Sequence, residues 1–254
     1  MTNSEPSVRF DRLTDLEAET PTLIEGLPGH GLVASIAVEQ IRKQLQLSHH
    51  GRLRSEGLPS VASFRDGHIQ DTFRVYSGTD PDLLTLQSDV PIPPTAARPL
   101  SQVVLDDLAA EFERAIFLAG MPAQSESQIG EVVGVATDNE MAKRLTDANI
   151  ELASGQGAIG GITGTLINEC YHSGVSAAGL VVRANPYIPD PSAAKAVIEN
   201  ALEPLVDFDI DTSELDEQAE EIRDQLQQVA QQYRRVAQEE SDTEQGPTGP
   251  SMFQ

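Results

Sequence analysis

Cysteine, lysine and aromatic residues are scarce in this 254-residue chain, and tryptophan is absent. The single cysteine, Cys170, excludes an internal disulfide framework and any cysteine-based zinc cluster. The only lysines are Lys43, Lys143 and Lys195. All basic residues together number 17 against 40 acids, a net charge of −23. Nucleic acid or an anionic membrane surface would meet repulsion at its phosphates, so neither is expected as a partner. No apolar run approaches the roughly 20 residues of a membrane-spanning helix. The first twenty residues lack the apolar stretch of a signal peptide, so the chain is expected to stay in the cytoplasm. His49-His50 and His68 have no ligand spacing, so neither a metal nor a cofactor is expected.

The 39% of hydrophobic residues is enough for a sizeable core. An acid-rich, lysine-poor surface around such a core suits a cytosol of very high salt, where screening removes the self-repulsion.

Apolar periodicity gives an alternating series. Pro21–Glu25 reads as a strand, Gly26–Gly31 as a turn and Leu32–Ile41 as a helix. Short β-like pieces follow at Ser60–Phe64 and Ile69–Tyr76, set apart by Asp66-Gly67 and Ser77-Gly78 turns. Further strands are expected at Leu83–Leu86, Ala115–Ala119, Val132–Ala136 and Ala177–Val182. Helices are expected at Ser101–Phe112, Asp138–Asp147, after Gly155–Gly161 through about Cys170, and at Pro191–Leu205. Alternation at this pace implies a mostly parallel sheet covered on both faces, with residues 49–80 as a small antiparallel excursion.

From Ser213, a candidate cap with Asp216 three residues on, the pattern changes. Leu215, Ala219, Ile222, Leu226, Val229, Tyr233 and Val236 alternate four and three residues apart, a heptad seam suited to oligomerisation. Ser241–Ser251 reads as a flexible linker reaching about 18 Å, and the chain ends Met252-Phe253-Gln254. The expected organisation is therefore a core domain over 1–211, a C-terminal helix over 212–238 and a tail over 239–254.

Candidate chemistry is thin. Gly155–Gly160 matches G-x-G-x-x-G, yet the strand before it is weak, no acid stands about 20 residues on, and Asp190 is too far away. Tight packing of a helix against a strand is the simpler reading of these glycines. The Gly26–Gly31 turn contains no lysine or arginine to hold an anion, and there is no G-x-S-x-G elbow. Cys170 closes an apolar helix near His172 and reads as core.

Four motifs, in order, carry a family resemblance. Gly26-Leu27-Pro28-Gly29-His30-Gly31-Leu32-Val33 resembles the opening motif of the archaeal and bacterial proteasome assembly chaperone family. Gly161-Ile162-Thr163-Gly164-Thr165-Leu166 is similar to its second motif, Asp190-Pro191 through Val197 to its third, and Asp209–Leu215 to the entry of its C-terminal helix. The resemblance implies a three-layer α/β/α sandwich, phosphorylase/hydrolase-like, in a non-enzymatic, self-associating, cytoplasmic protein. Taken with the charge, it points to a halophilic archaeal source. It also implies the 20S proteasome core particle as partner, with Met252, Phe253 and Gln254 resembling the hydrophobic–tyrosine–any ending of proteasome activators; Phe253 stands where the hydroxyl-bearing tyrosine would be. In the motifs themselves, Gly26 and Gly29 read as positions freed from Cβ restrictions, with Pro28 stiffening the turn and Gly31 completing it. Asp190 and Pro191 read as a helix cap and first-turn pair. A competing reading is a nucleoside phosphorylase or hydrolase relative whose glycine turns hold phosphate. That chemistry wants arginines at those turns, and the nearest, Arg42 and Arg183, are not placed there.

Overall fold

Each stretch expected as a strand contains one, but the piece expected over Ile69–Tyr76 is two strands parted at Asp71-Thr72, and strands at Val8–Arg12 and Ser48–Ser55 join them. The computed structural model describes residues 8–55 and 60–244. In chain order the first elements are β1 (Val8–Arg12), β2 (Thr22–Gly26), α1 (Val33–Gln44), β3 (Ser48–Ser55), β4 (Ser63–Arg65), β5 (His68–Gln70), β6 (Phe73–Thr79) and β7 (Asp82–Ser88). There follow α2 (Pro94–Val103), β8 (Arg114–Pro122), β9 (Val132–Ala136), α3 (Asn139–Asp147), α4 (Gly161–Ser173) and β10 (Ser176–Ala184). The chain closes with α5 (Pro191–Val197), α6 (Glu203–Val206) and α7 (Ser213–Glu244). A wide π-turn, Ile198–Leu202, joins α5 to α6.

Eight strands form one sheet in the order β1-β3-β6-β7-β2-β8-β10-β9. Only the β7/β2, β2/β8 and β8/β10 pairings are parallel. The expectation of a mostly parallel sheet is corrected to a mixed one. The two-residue connection between β6 and β7 forces them antiparallel, with Thr79 opposite Asp82. β3 and β6 are thus part of the main sheet, and only β4 and β5 stand apart as a two-stranded hairpin. The central strands read as largely apolar runs because both their faces are covered; β2 is buried at all five positions.

One face packs Ile24, Leu83, Ile116 and Leu180 under α1, α3, α5 and the first turn of α7. The other packs Leu23, Leu86 and Phe117 under α2 and α4, with Leu100 and Leu166 contributed by those helices. The result is the three-layer α/β/α sandwich. Each fully buried side chain of this size contributes about 1.5–3 kcal/mol on leaving water.

Three local differences have plain causes. α2 begins at Pro94, seven residues before the expected Ser101, because a proline at the first helical position loses no hydrogen bond. At α7 the capping carboxylate comes from Asp211, whose Oδ1 accepts from the Ser213 N–H at 2.9 Å; the Ser213 hydroxyl is not the cap. The helix also continues to Glu244, past the 238 boundary and into the segment read as linker.

Candidate functional site

β7, β2, β8 and β10 run parallel and end at one edge of the sheet, and α1 and α2 leave that edge on opposite faces. Such a reversal opens a crevice beyond the strand ends. Here it is a groove of about 460 Å³ lined by Pro28–Leu32 after β2, Pro91 after β7 and Pro186–Pro189 after β10. No carboxylate, lysine or arginine lines it; His30 lies within it, and Tyr187, 92% exposed, stands at its edge.

Backbone contacts hold the groove together. The Asp190 N–H donates to the Gly31 carbonyl at 2.8 Å. The Asp190 carboxylate accepts from the Asn185 N–H at 2.7 Å and from the Ala193 N–H at 3.0 Å, so it closes the loop and caps α5 with Pro191 in the first turn, as expected. Gly31 has φ +63°, and a Cβ there would sit 2.9 Å from the Ala184 Cβ. Leu32 follows at φ +50°, which leaves its side chain 39% exposed. The expected roles of the earlier glycines shift accordingly. Gly29 is extended, with nothing within 4 Å of a Cβ, and Gly26 is required by Val38, whose Cβ lies 2.7 Å from the position.

Below the groove, β2 carries a residue the sequence reading passed over. Glu25 is wholly buried; its Oε1 accepts from the Leu27 N–H at 3.0 Å, and its Oε2 from the Leu118 N–H at 3.3 Å and the Thr163 hydroxyl at 3.5 Å. Burial pushes its carboxyl up to about 8, against the three donors, which pull it down. One side chain thus ties together the turn after β2, the middle of β8 and the first turn of α4. The signal was legible: an acid inside Thr22-Leu23-Ile24-Glu25, a run otherwise apolar enough for a buried strand.

Gly161 opens α4, and Gly164 is needed because a Cβ there would meet the Ile159 carbonyl oxygen at 2.0 Å. Gly155, Gly157 and Gly160 lie in an exposed loop with nothing within 4 Å, so the tight-packing reading of those three is corrected. Cys170 is core, as expected, and burial pushes its thiol up to about 12. Among the described residues no group of three His, Cys, Asp or Glu side chains is placed to hold a metal. Arg42 is engaged by Glu39 and Arg183 by the Pro122 carbonyl, so the structure brings neither to a glycine turn.

The heptad residues separate. Leu215 is 1% exposed and belongs to the core, whereas Ala219 and Ile222 are half-buried and Leu226 is 47% exposed. The docked turn is clamped by two of the three lysines: Lys43 reaches Glu214 at 3.0 Å and Lys195 reaches Asp216 at 2.6 Å. The Gln40 Nε2 donates to the Asp211 carbonyl at 2.7 Å. The side chains of Val229, Tyr233 and Val236, and the whole of Met252, Phe253 and Gln254, lie outside the described residues.

Comparison with known proteins places this arrangement. The PAC2 family model matches residues 23–230. The crystal structure of Pyrococcus furiosus PbaA, an archaeal homolog of proteasome-assembly chaperone, is 26% identical, covers 93% of this chain and 97% of its own, and superposes with a TM-score of 0.81. Pyrococcus furiosus PbaB, an archaeal proteasome activator, shares the fold at 23% identity and a TM-score of 0.78, over 88% of this chain and 99% of its own. An uncharacterised protein of Methanocaldococcus jannaschii is 28% identical over 216 residues, 84% of this chain and 87% of that protein.

Proposed function

The chain belongs to the PAC2 family, and on that premise we propose that it is a non-enzymatic, homo-oligomeric, cytoplasmic proteasome assembly chaperone or adaptor that engages the 20S core particle. The observation that carries this reading is the likeness, over nearly the whole chain, to a structure described as a homolog of proteasome-assembly chaperone. The site supports it from the chemical side. A groove lined by proline, glycine, leucine, isoleucine and tyrosine, with His30 as its one imidazole, is built largely for apolar contact and holds no carboxylate, lysine or arginine.

Self-association falls to the stripe of α7 beyond Leu215: Ala219, Ile222 and Leu226, continued in sequence by Val229, Tyr233 and Val236. Among the described side chains α7 is buried at its root and exposed by Leu226, and a helix of 32 residues gains from a partner along such an exposed stripe. The core particle is engaged through Met252, Phe253 and Gln254. A terminal carboxylate pairs with a lysine of a subunit pocket while the apolar pair fills the groove beside it. Several tails on one assembly raise the effective concentration of each. The excess of acids fits a high-salt, archaeal cytosol.

Co-sedimentation of the full chain with purified archaeal core particles in high salt tests the reading. The chain is expected to travel with the particle; its absence from the particle fraction at micromolar concentration contradicts the proposal.

A further inference from the structure

The net charge of −23 is unevenly distributed. Across β1, β3 and the stretch from β4 to β6, six arginines (Arg9, Arg12, Arg52, Arg54, Arg65 and Arg74) stand with three aspartates (Asp11, Asp66 and Asp71). Adding the acids that reach in from elsewhere, Glu39, Asp89 and Glu111, makes this end of the sheet neutral. Between Ser213 and Glu244, by contrast, α7 carries ten acids and three arginines. Arginine is in local surplus around Asp11, which is approached by Arg9 at 3.4 Å, Arg52 at 3.4 Å and Arg54 at 3.8 Å. The Arg9 and Arg54 side chains remain 68% and 56% exposed.

The β4–β5 hairpin meets this cluster at Asp71, directly after β5, which Arg52 approaches at 3.5 Å. Phe64 is registered opposite Ile69, which puts both on one face, and they are 72% and 75% exposed, with Val61 at 50% nearby. The next pair, Arg65 and His68, falls on the other face, where Arg65 reaches Glu39 of α1 at 2.5 Å. The polar face therefore holds the hairpin to the protein, and the apolar face is left to water. Large apolar side chains grouped in this way mark a contact surface.

The free length of α7 has the complementary character. Ile222 and Leu226 continue its stripe among Glu220, Glu221 and Asp224. We propose that the hairpin face of one copy receives the acidic, apolar-striped α7 of a second copy. The inference rests on the self-association proposed above and names the surface that α7 meets. Arm against arm would set two helices of net charge −7 side by side, whereas arm against hairpin brings the same acids to a neutral end of the sheet where Arg9 and Arg54 are more than half exposed. At molar salt the screening length is about 3 Å, so the discrimination acts through pairs in contact. Each copy offers one arm and one hairpin. The contact is head-to-tail, and successive copies close into a ring or extend as a filament.

Sedimentation velocity on the full-length chain, Phe64→Asp, Leu226→Asp and an equimolar mixture of the two variants tests this. Both sites are exposed, and unchanged circular dichroism and melting temperature will show that the variants fold. Each variant alone is expected to lose the assembly. The mixture is expected to recover a dimer, because the intact arm of Phe64→Asp meets the intact hairpin of Leu226→Asp. Arg54→Glu is expected to weaken association at least tenfold. If Leu226→Asp dissociates the assembly and Phe64→Asp leaves it whole, α7 pairs elsewhere and the inference fails while self-association stands. A mixture that stays monomeric also overturns it, and a monomeric wild type overturns both.

Discussion

The backbone N–H of Asp190 donates to the carbonyl of Gly31 at 2.8 Å, joining the first and third sequence motifs at the carboxyl edge of the sheet. The turn after β2 can take this position only if residue 31 adopts φ +63° and carries no Cβ against Ala184 and the Asn185 carbonyl. Gly31→Ala is therefore expected to cost about 2–4 kcal/mol, combining left-handed strain with overpacking. Gly29→Ala, two residues earlier in open, extended backbone, is expected to stay within about 0.5 kcal/mol of wild type. Urea unfolding in high salt separates the two; equal losses would contradict the geometry.

Asp190 should matter for its side chain as well. Asp190→Ala removes the acceptor of both the Ala193 and Asn185 N–H groups, at an expected cost of about 1–2 kcal/mol. Asp190→Asn keeps an oxygen for one of them, and should recover part of the loss in the same unfolding measurement.

Glu25 makes stability depend on pH with a definite sign. Its folded value of about 8 lies above the ordinary 4.5, so the native state favours the protonated form. The contribution is complete below about pH 4.5 and is lost as pH rises through about 8. Relative to Glu25→Gln, the wild type is expected to weaken steadily between those values, by up to about 1.4 kcal/mol per pH unit. The urea midpoints of both proteins at several pH values give the comparison. A constant difference between them would remove Glu25 as the source.

The root and the free length of α7 should respond differently. Leu215→Ala empties a core position and is expected to cost about 2–5 kcal/mol of stability. The double change Ile222→Asp with Val229→Asp should leave folding intact and reduce the mass seen by light scattering to that of a single chain. An unchanged mass would exclude this stripe from self-association.

The centre of the fold was legible because β2, β7, β8 and β10 are covered on both faces and are therefore apolar at most of their positions, Glu25 being the exception of note. The antiparallel flank was not. β3 reads Ser-His-His-Gly-Arg-Leu-Arg-Ser, and only Leu53 reports a buried face, so nothing in its pattern separates it from a loop. α2 was hidden in part by prolines that look like breakers and act as a helix start. The heptad in α7 was real as a pattern, yet it could not reveal that Leu215 belongs to the core and Leu226 to the surface. Within the motifs, the sequence located the turns; it took the structure to distinguish Gly31, where a side chain is excluded, from Gly29, where it is not. The groove combines residues from three loops far apart in the chain, and no local pattern could assemble it.

The central claim is that this chain grips the core particle by its last residues. Affinity for purified core particles in high salt, measured for the full chain and for a form lacking residues 252–254, tests it most directly. The account predicts at least a tenfold loss on removing the three residues. Equal affinity for both forms would contradict it.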